Sequence, residues 1–217
     1  MKILFLGGNM AKDLADWLKK LKEDVIYKED IITADDVKQI SPEMIVSYNY
    51  KYIIPKQILN CVDDKVINLH ISYLPFNKGS HPNVWSFLEN TPKGVTIHYI
   101  DEGIDTGNII IQKEVYFDES KETLKSSYEK LHMEIQEIFK ENWGKIKADS
   151  IKAEKQVGKG SIHFKREFTV IEPLIREKGW DTSIRELKEK YRYRRCSTDE
   201  LYKPNVSRQG IGTEMEK

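Results

Sequence analysis

Short apolar runs separated by polar stretches predict a chain that alternates between strands and helices over residues 1–150. The run Ile3–Leu6 ends at Gly7, as expected of an interior strand followed by a sharp turn. Two more runs, Met44–Tyr48 and Val66–Leu69, have the length and the β-prone composition of strands. Val25–Tyr27 predicts a weaker strand between them and the first.

Helical spacing connects these strands. A helix is predicted after the first strand from apolar residues at three- and four-residue intervals, namely Leu14, Trp17, Leu18 and Leu21. Pro55 predicts the start of a short helix, because proline is favoured in the first helical turn. A long amphipathic helix follows later, with one apolar face made of Leu124, Tyr128, Leu131, Ile135, Ile138, Phe139 and Trp143.

Two further β-like segments, Gly94–Ile100 and Ile109–Val115, flank a loop of glycines and acids, Asp101–Gly107. Alternating strands and helices predict the α/β class, here a Rossmann-like, mostly parallel twisted sheet flanked by helices. Ligands of such sheets gather at the carboxyl ends of the strands. His70 lies at one of these ends.

The pattern changes after the long helix, which predicts a catalytic domain over residues 1–150 and a small C-terminal α+β subdomain over 151–217. Gln156–Phe164 suggests a short strand or hairpin. Ser183 and Glu186 resemble a capping box at the start of a final helix. The last dozen residues are expected to be frayed.

Composition limits the classes of function. The 35 basic and 35 acidic residues cancel, which argues against a protein that binds nucleic acid by neutralising many phosphates. Cys61 and Cys196 lie far apart and outside metal-ligand spacing, so no metal site is expected and a reducing cytoplasm fits best. No signal peptide or membrane segment is apparent. Gly7 and Gly8 lack the spaced third glycine of the dinucleotide-binding fingerprint.

The chemistry-bearing residues are concentrated around His70. Strand geometry places Asn68 and His70 on the same face, and an amide beside an imidazole suits acyl transfer. Alone, however, an Asn-x-His pattern is more often structural. Asp105, which precedes Thr106 and Gly107, is by itself a good turn former. His98, inside a predicted strand, is expected to be packed or hydrogen-bonded structurally.

Asn68–Gly79 followed by Asp101–Gly107 resembles the signature of the 10-formyltetrahydrofolate-dependent formyltransferases, in the family's order and about its separation. Ser47–Pro55 is similar to the family's loop around the folate pterin. The resemblance implies that Asn68 stabilises the developing oxyanion and that His70 handles the proton of the attacking amine. It also implies that Asp105 orients His70 and that 10-formyltetrahydrofolate is the formyl donor, without a metal.

The same resemblance implies the pocket residues. The folate-binding set it suggests is Ser47, Tyr48, Asn49, Tyr50, Ile53, Ile54, Asp101, Gly103 and Ile104. The acceptor-binding set it suggests is Tyr73, Lys78, Gly79, His81, Asn83 and Trp85. For His81, Asn83 and Trp85 a plain structural loop is an equal alternative.

The segments 74–87 and 91–99 look most like the small N-formyltransferases that modify nucleotide-linked amino sugars, for example a dTDP-4-amino-4,6-dideoxyhexose. The alternative within the same reaction class is a glycinamide ribonucleotide formyltransferase, whose acceptor is glycinamide ribonucleotide. Formyltetrahydrofolate hydrolase and a catalytically silent folate-binding module are alternatives of other classes. Methionyl-tRNA as acceptor ranks low, because fewer than 70 residues follow residue 150. By analogy with the sugar enzymes, Gln156–Phe164 is a candidate dimerisation element.

Overall fold

The computed structural model describes residues 1–63 and 65–201. Six of its strands form one sheet and two short strands form a second. The strands are β1 (Lys2–Gly7), β2 (Asp24–Lys28), β3 (Met44–Tyr48), β4 (Val66–His70), β5 (Lys78–Gly79), β6 (Gly94–Tyr99), β7 (Ile109–Glu114) and β8 (Ile162–His163). The six strands predicted for the first 150 residues are therefore present, with ends shifted by at most one residue. Of the short strand or hairpin predicted over Gln156–Phe164, only Ile162–His163 is a strand.

The α-helices cover the sheet and lie between its strands. They are α1 (Lys12–Lys20), α2 (Ala34–Ile40), α3 (Lys56–Leu59), α4 (Pro82–Leu88), α5 (Leu124–Lys147) and α6 (Ile184–Leu201). Thr33 and Thr123 begin α2 and α5, and each side chain accepts the N–H of the third helical residue. No helix of the described ranges is long and apolar enough to cross a lipid bilayer.

The large sheet has the order β2-β1-β3-β4-β6-β7. Its first four strands are parallel, whereas β6 runs antiparallel to β4, and β7 runs antiparallel to β6. The predicted α/β class with a mostly parallel sheet is confirmed. Because β6 is antiparallel to β4, it ends beside the start of β4, where the Ile100 N–H donates to the Val66 carbonyl oxygen, and the loop after β6 begins there.

Two apolar layers fill the two faces of the sheet. On one face, α1 and α5 pack on β1, β3, β4 and β6 through residues such as Leu14, Leu18, Ile135 and Phe139. On the other face, α2 and α3 pack on side chains that include Leu4, Ile45 and Val66. Alternate residues of each strand therefore serve opposite layers.

Two local features differ from the sequence prediction. The helix α2 was not anticipated, because Val37 is the only residue of its seven that is buried. Leu21 was expected on the buried face of α1, but it follows the last helical residue and is 47% exposed.

The segment after α5 packs against earlier elements of the chain. Residues 168–187 share an apolar cluster with α4, and β8 pairs with β5 in parallel. Ser183 Oγ accepts the Glu186 N–H at 3.2 Å, which is one half of the predicted capping box, whereas the Glu186 carboxylate pairs with Lys178 and Lys190. The division into units 1–150 and 151–217 stays a prediction. The last dozen residues lie outside the described residues.

Candidate active site

Three polar side chains form a row across the middle of the large sheet. Ser47 of β3 is opposite Asn68 of β4, and Asn68 is opposite His98 of β6. Cross-strand partners share a face, so all three side chains project to the α2–α3 side of the sheet. His70 is two residues beyond Asn68 on the same strand and projects to the same side.

His70 ends β4 and is only 8% exposed. Its Nε2 donates to the carbonyl oxygen of Asn77 at 3.2 Å, and its Nδ1 lies 3.7 Å from Oδ2 of Asp105. Asn77 is fully buried with a left-handed φ of 55°, and its Nδ2 donates to Thr91 Oγ1 at 2.7 Å. The Asn77 carbonyl oxygen therefore holds the proton on Nε2 of His70, and Nδ1 faces the Asp105 carboxylate.

Asp105 lies in the loop after β6, and its carboxylate contacts Asn68, His70 and Gly79. Its Oδ1 accepts from Asn68 Nδ2 at 3.3 Å, and its Oδ2 accepts from the Gly79 N–H at 2.8 Å. Asp105 has a φ of 51°, in the left-handed region that is uncommon for residues other than glycine. The amide, the imidazole and the carboxylate named from the sequence therefore meet at the carboxyl end of β4.

His98 is part of the same cluster, which sequence reasoning missed. The ring is 1% exposed and its Nδ1 donates to the Tyr99 carbonyl oxygen at 2.7 Å. Its Nε2 lies 3.4 Å from Asn68 Nδ2 and 3.4 Å from Oδ1 of Asp105. The expectation of a buried, hydrogen-bonded histidine was correct, but its partner is the catalytic candidate Asn68. Only the antiparallel pairing of β6 with β4 reveals this.

Burial and charge act in opposite directions on the ionisable groups of the site. Burial lowers the pKa of His70 below its usual value, although the Asp105 carboxylate opposes this effect. Burial would by itself raise the pKa of Asp105, but the His70 and His98 rings and the Gly79 N–H together lower it well below its usual range. Asp105 is thus ionised beside a neutral imidazole at neutral pH.

The residues predicted to enclose the pterin occupy different environments. Ser47 lies beside Asn68, whereas Tyr48 projects to the opposite face of the sheet, where its hydroxyl contacts His132 Nδ1. Asn49 is exposed, and the Tyr50 hydroxyl donates to the Asp30 carbonyl oxygen at 2.7 Å. Ile53 and Ile54 separate in the same way: the first is 82% exposed and the second is buried.

The rest of the predicted folate-binding set lies in the loop after β6. Asp101 accepts hydrogen bonds from the Gly103 N–H and from the Thr106 hydroxyl, which gives the loop a closed turn. Glu102 forms an ion pair with Lys56 at the start of α3, so the loop after β6 lies beside the start of that helix. Ile104 leaves 37% of its surface exposed next to Asp105.

The predicted acceptor residues are not all gathered at the trio. Gly79 touches Asp105 directly, and Lys78 precedes it in β5. His81 stacks on Phe168 with ring centroids 3.8 Å apart. Tyr73 is half-buried in the turn after β4.

Asn83 and Trp85 lie deeper in the fold, within α4. Asn83 is 3% exposed and donates to the Leu124 carbonyl oxygen at 3.0 Å. Trp85 is 5% exposed and stacks on His163 at 4.1 Å. These contacts attach α4 to α5 and to the C-terminal segment.

The chemistry available to the site is that of polar organic side chains. Among the residues that the structure describes, no group of three or more His, Cys, Asp or Glu side chains is arranged to hold a metal ion. A fixed amide donor, a neutral imidazole and an ionised carboxylate suit attack by an amine on a carbonyl carbon.

Comparisons with known proteins find similarity to formyltransferases. The solved formyltransferase PseJ from Anoxybacillus kamchatkensis, in complex with UDP-4,6-dideoxy-4-formamido-L-AltNAc and tetrahydrofolate, is 42% identical, with a TM-score of 0.81 over 86% of this chain and 97% of that chain. Methionyl-tRNA formyltransferase of Thermodesulfovibrio yellowstonii is 32% identical over 175 residues, which are 78% of this chain and 51% of the relative. The dTDP-4-amino-4,6-dideoxyglucose formyltransferase of Mycobacterium bovis is 30% identical over 138 residues, 63% of this chain and 58% of the relative.

The chain spans about half the length of the curated methionyl-tRNA relative. The model of the formyl transferase family matches residues 1–142, which include β1 through most of α5 and hold Asn68, His70 and Asp105. Because that match covers well over half of the sequence and contains the whole polar cluster, the chain belongs to the formyl transferase family.

Proposed function

We propose that the protein is an N-formyltransferase that moves the formyl group of 10-formyltetrahydrofolate onto the amine of a nucleotide-linked amino sugar. The observation that carries the proposal is the convergence of Asn68, His70 and Asp105 at the carboxyl end of β4. Membership of the formyl transferase family supports the same reaction class.

Each member of the trio has a distinct task in this reaction. Asn68 donates a hydrogen bond to the formyl oxygen, where negative charge develops as the amine attacks. His70 is neutral at the start. Its Nδ1, the ring nitrogen that faces Asp105, accepts the proton that the amine loses, either directly or through a water molecule. Asp105 stabilises the imidazolium that results. The carbon–nitrogen bond to the folate then breaks, and the folate nitrogen takes a proton.

The folate donor is proposed to bind between residues 47–55 and the loop after β6, which form the two walls of the site. A pterin ring is flat and largely apolar on its faces, with polar edges. Ile53 and Ile104 offer exposed apolar surface on the two walls, and Asn49, Asp101 and Gly103 offer polar or backbone groups nearby. The pterin is proposed to lie between these walls, with its formyl group directed at Asn68. Tetrahydrofolate in the PseJ complex supports this choice of donor.

The acceptor is proposed to be a 4-amino-4,6-dideoxy sugar carried on UDP or dTDP. PseJ holds a UDP-linked 4-formamido sugar, and a 4-formamido group is what formyl transfer to a 4-amine produces. The M. bovis relative is named for a dTDP-linked 4-amino-4,6-dideoxy sugar. The higher identity to PseJ favours the UDP carrier over the dTDP carrier expected from sequence.

Product analysis separates this function from the others. The protein is incubated with 10-formyltetrahydrofolate and, in parallel, with UDP- and dTDP-linked 4-amino-4,6-dideoxyhexoses, glycinamide ribonucleotide or methionyl-tRNA. Tetrahydrofolate release that depends on a sugar nucleotide, with the formamido product seen by mass spectrometry, is expected. Release without any acceptor indicates a hydrolase, and release only with glycinamide ribonucleotide or methionyl-tRNA indicates the corresponding relative. No release in any arm indicates a folate-binding module and rejects the proposal.

A further inference from the structure

Residues 154–163, called here the strap, run beside the turn that carries Asp105 and beside residues 75–79, which contact His70 and Asp105. At one end, Glu154 exchanges two backbone hydrogen bonds with Ile109, of 2.7 and 2.8 Å, just beyond the Asp105 loop. At the other end, His163 pairs with Gly79, whose N–H binds the Asp105 carboxylate. Between these ends one side chain binds the backbone of Asp105, and a second binds Asn77, the residue that contacts His70.

The first of these side chains is Gln156. Its Nε2 donates to the carbonyl oxygens of Asp105 at 2.8 Å and of Gly107 at 2.9 Å. Both ends of the turn that presents the Asp105 carboxylate are therefore tied to one amide. The turn needs such support, because a left-handed φ costs a residue other than glycine free energy that the surroundings must offset.

The second side chain is Ser161. Its hydroxyl accepts the Asn77 N–H at 3.0 Å and donates to Asn77 Oδ1 at 3.4 Å. The carbonyl oxygen of the same Asn77 is the acceptor for His70 Nε2. Ser161 is therefore linked to the imidazole through Asn77 alone. Because the Asn77 carbonyl oxygen accepts from Nε2 of His70, the position of Asn77 determines that Nε2 carries the ring proton.

We propose that the strap positions the catalytic centre, with Gln156 setting the Asp105 carboxylate and Ser161 setting the His70 ring through Asn77. This inference rests on the proposed formyl transfer by the trio. Gln156 and Ser161 are positioning residues: Gln156 binds the backbone of Asp105, and Ser161 binds Asn77, whose carbonyl oxygen binds His70. Catalysis is sensitive to such placement, since a displacement of about 1 Å can cost about a hundredfold in rate.

The proposal predicts a specific pH signature. The titratable groups that face His70 are Asp105 and His98, and the hydrogen bond to Asn77 favours the charged ring. Displacing Asn77 or the Asp105 carboxylate removes support from the imidazolium, so the pKa of His70 falls. The rising limb of kcat against pH, which reports deprotonation of His70, then moves to lower pH. Loss of folded protein alone leaves that limb in place.

The test compares Gln156→Ala and Ser161→Ala with the wild type and with Lys155→Ala, an exposed neighbour in the same segment. Each strap variant is expected to lower kcat by about tenfold or more, with KM values within about twofold, and to move the rising limb to lower pH. Ser161→Thr keeps the hydroxyl and is expected to restore both values. Lys155→Ala is expected to match the wild type.

A measurement without turnover distinguishes failure of this inference from failure of the proposed function. The pKa of the His70 ring is followed by NMR in each variant, with the signal assigned from its loss in His70→Gln. A lower His70 pKa in both alanine variants supports the strap even if no tested acceptor is formylated. Wild-type kcat, pH limb and His70 pKa in both variants would overturn it. If an alanine variant does not fold, Gln156→Asn takes its place, because the shorter amide does not reach the Asp105 and Gly107 carbonyl oxygens. A lower His70 pKa in Gln156→Asn than in the wild type supports the proposal, and an unchanged kcat and His70 pKa would overturn it.

Discussion

The backbone N–H of Gly79 donates a 2.8 Å hydrogen bond to Oδ2 of Asp105, although 26 residues separate the two along the chain. The same carboxylate oxygen is the one that faces His70. Gly79 has a φ of 82°, and a Cβ at this position would lie 2.3 Å from the carbonyl oxygen of His163. A residue without a side chain is thus required where β5, β8 and the catalytic carboxylate meet.

Gly79→Ala is expected to reduce both stability and turnover. The left-handed backbone and the clash with His163 cost about 1–3 kcal/mol in the free energy of unfolding, measured by urea denaturation. Displacement of the N–H that binds Asp105 lowers kcat by about tenfold or more. The control is Gly144→Ala, because Gly144 is helical with open space around it, and this variant should gain about 0.5–1 kcal/mol. Equal effects of the two substitutions would contradict the role given to Gly79.

His70→Gln and Asp105→Asn are expected to lower kcat for formyl transfer by about a hundredfold or more, because each removes a group from the proton-transfer pair. Tetrahydrofolate release under saturating donor and acceptor measures the change. Asp35→Asn, a substitution of a carboxylate on α2 that is 93% exposed, is the matched control and should keep wild-type kcat. Turnover within about twofold of the wild type in either site variant would remove the proposed mechanism.

The pH profile of kcat should rise with a midpoint below the ordinary histidine value of 6.5, since burial lowers the pKa of His70. The sign follows from the chemistry: the neutral ring accepts the proton, so activity is present above the pKa and lost as pH falls through it. In Asp105→Asn the carboxylate that favours the charged ring is gone, and the residual activity should have its midpoint at lower pH still. A midpoint above that of the wild type in Asp105→Asn would argue that His70 is not the titrating base.

His132 makes a separate prediction about stability. This ring is 4% exposed beneath the sheet, and burial lowers its pKa from 6.5 to about 4. Because the unfolded chain binds the proton more readily, stability is fully present above pH 6.5 and is lost as pH falls towards 4, by up to about 3 kcal/mol. Urea unfolding at several pH values should show a flatter dependence for His132→Gln than for the wild type. Parallel curves for the two proteins would disprove the assignment to His132.

Much of the fold followed from local patterns. The runs that became β1, β3 and β4 are short, apolar and bounded by breakers, and Asn68 and His70 share one strand, so their common face follows from the two-residue period. The helix α2 was not predicted because only Val37 of its seven residues is buried, which leaves no apolar face in the sequence. Its capping signal, Thr33 followed by Asp36, was nevertheless present in the sequence and could have identified it.

The remaining parts of the site depend on pairing between distant segments. His98 reaches Asn68 only because β6 turns back antiparallel to β4. Gln156 reaches the Asp105 carbonyl across 51 residues of sequence. Neither contact has a local signature, since a histidine in a strand and a glutamine in a loop fit many environments. Composition and spacing identify which residues carry chemistry, but the tertiary structure determines which residues hold them in place.

Ser47 and Tyr48 are neighbours in β3, yet one faces the catalytic cluster and the other packs against α5. Inserting or deleting a single residue within this strand would exchange them, placing a bulky phenol beside Asn68 and a small hydroxyl in the apolar layer. Length variation on this side of the pocket is therefore tolerable only after the strand, in residues 49–55. A designer who wishes to reshape the donor side should alter that loop and keep the strand's register intact.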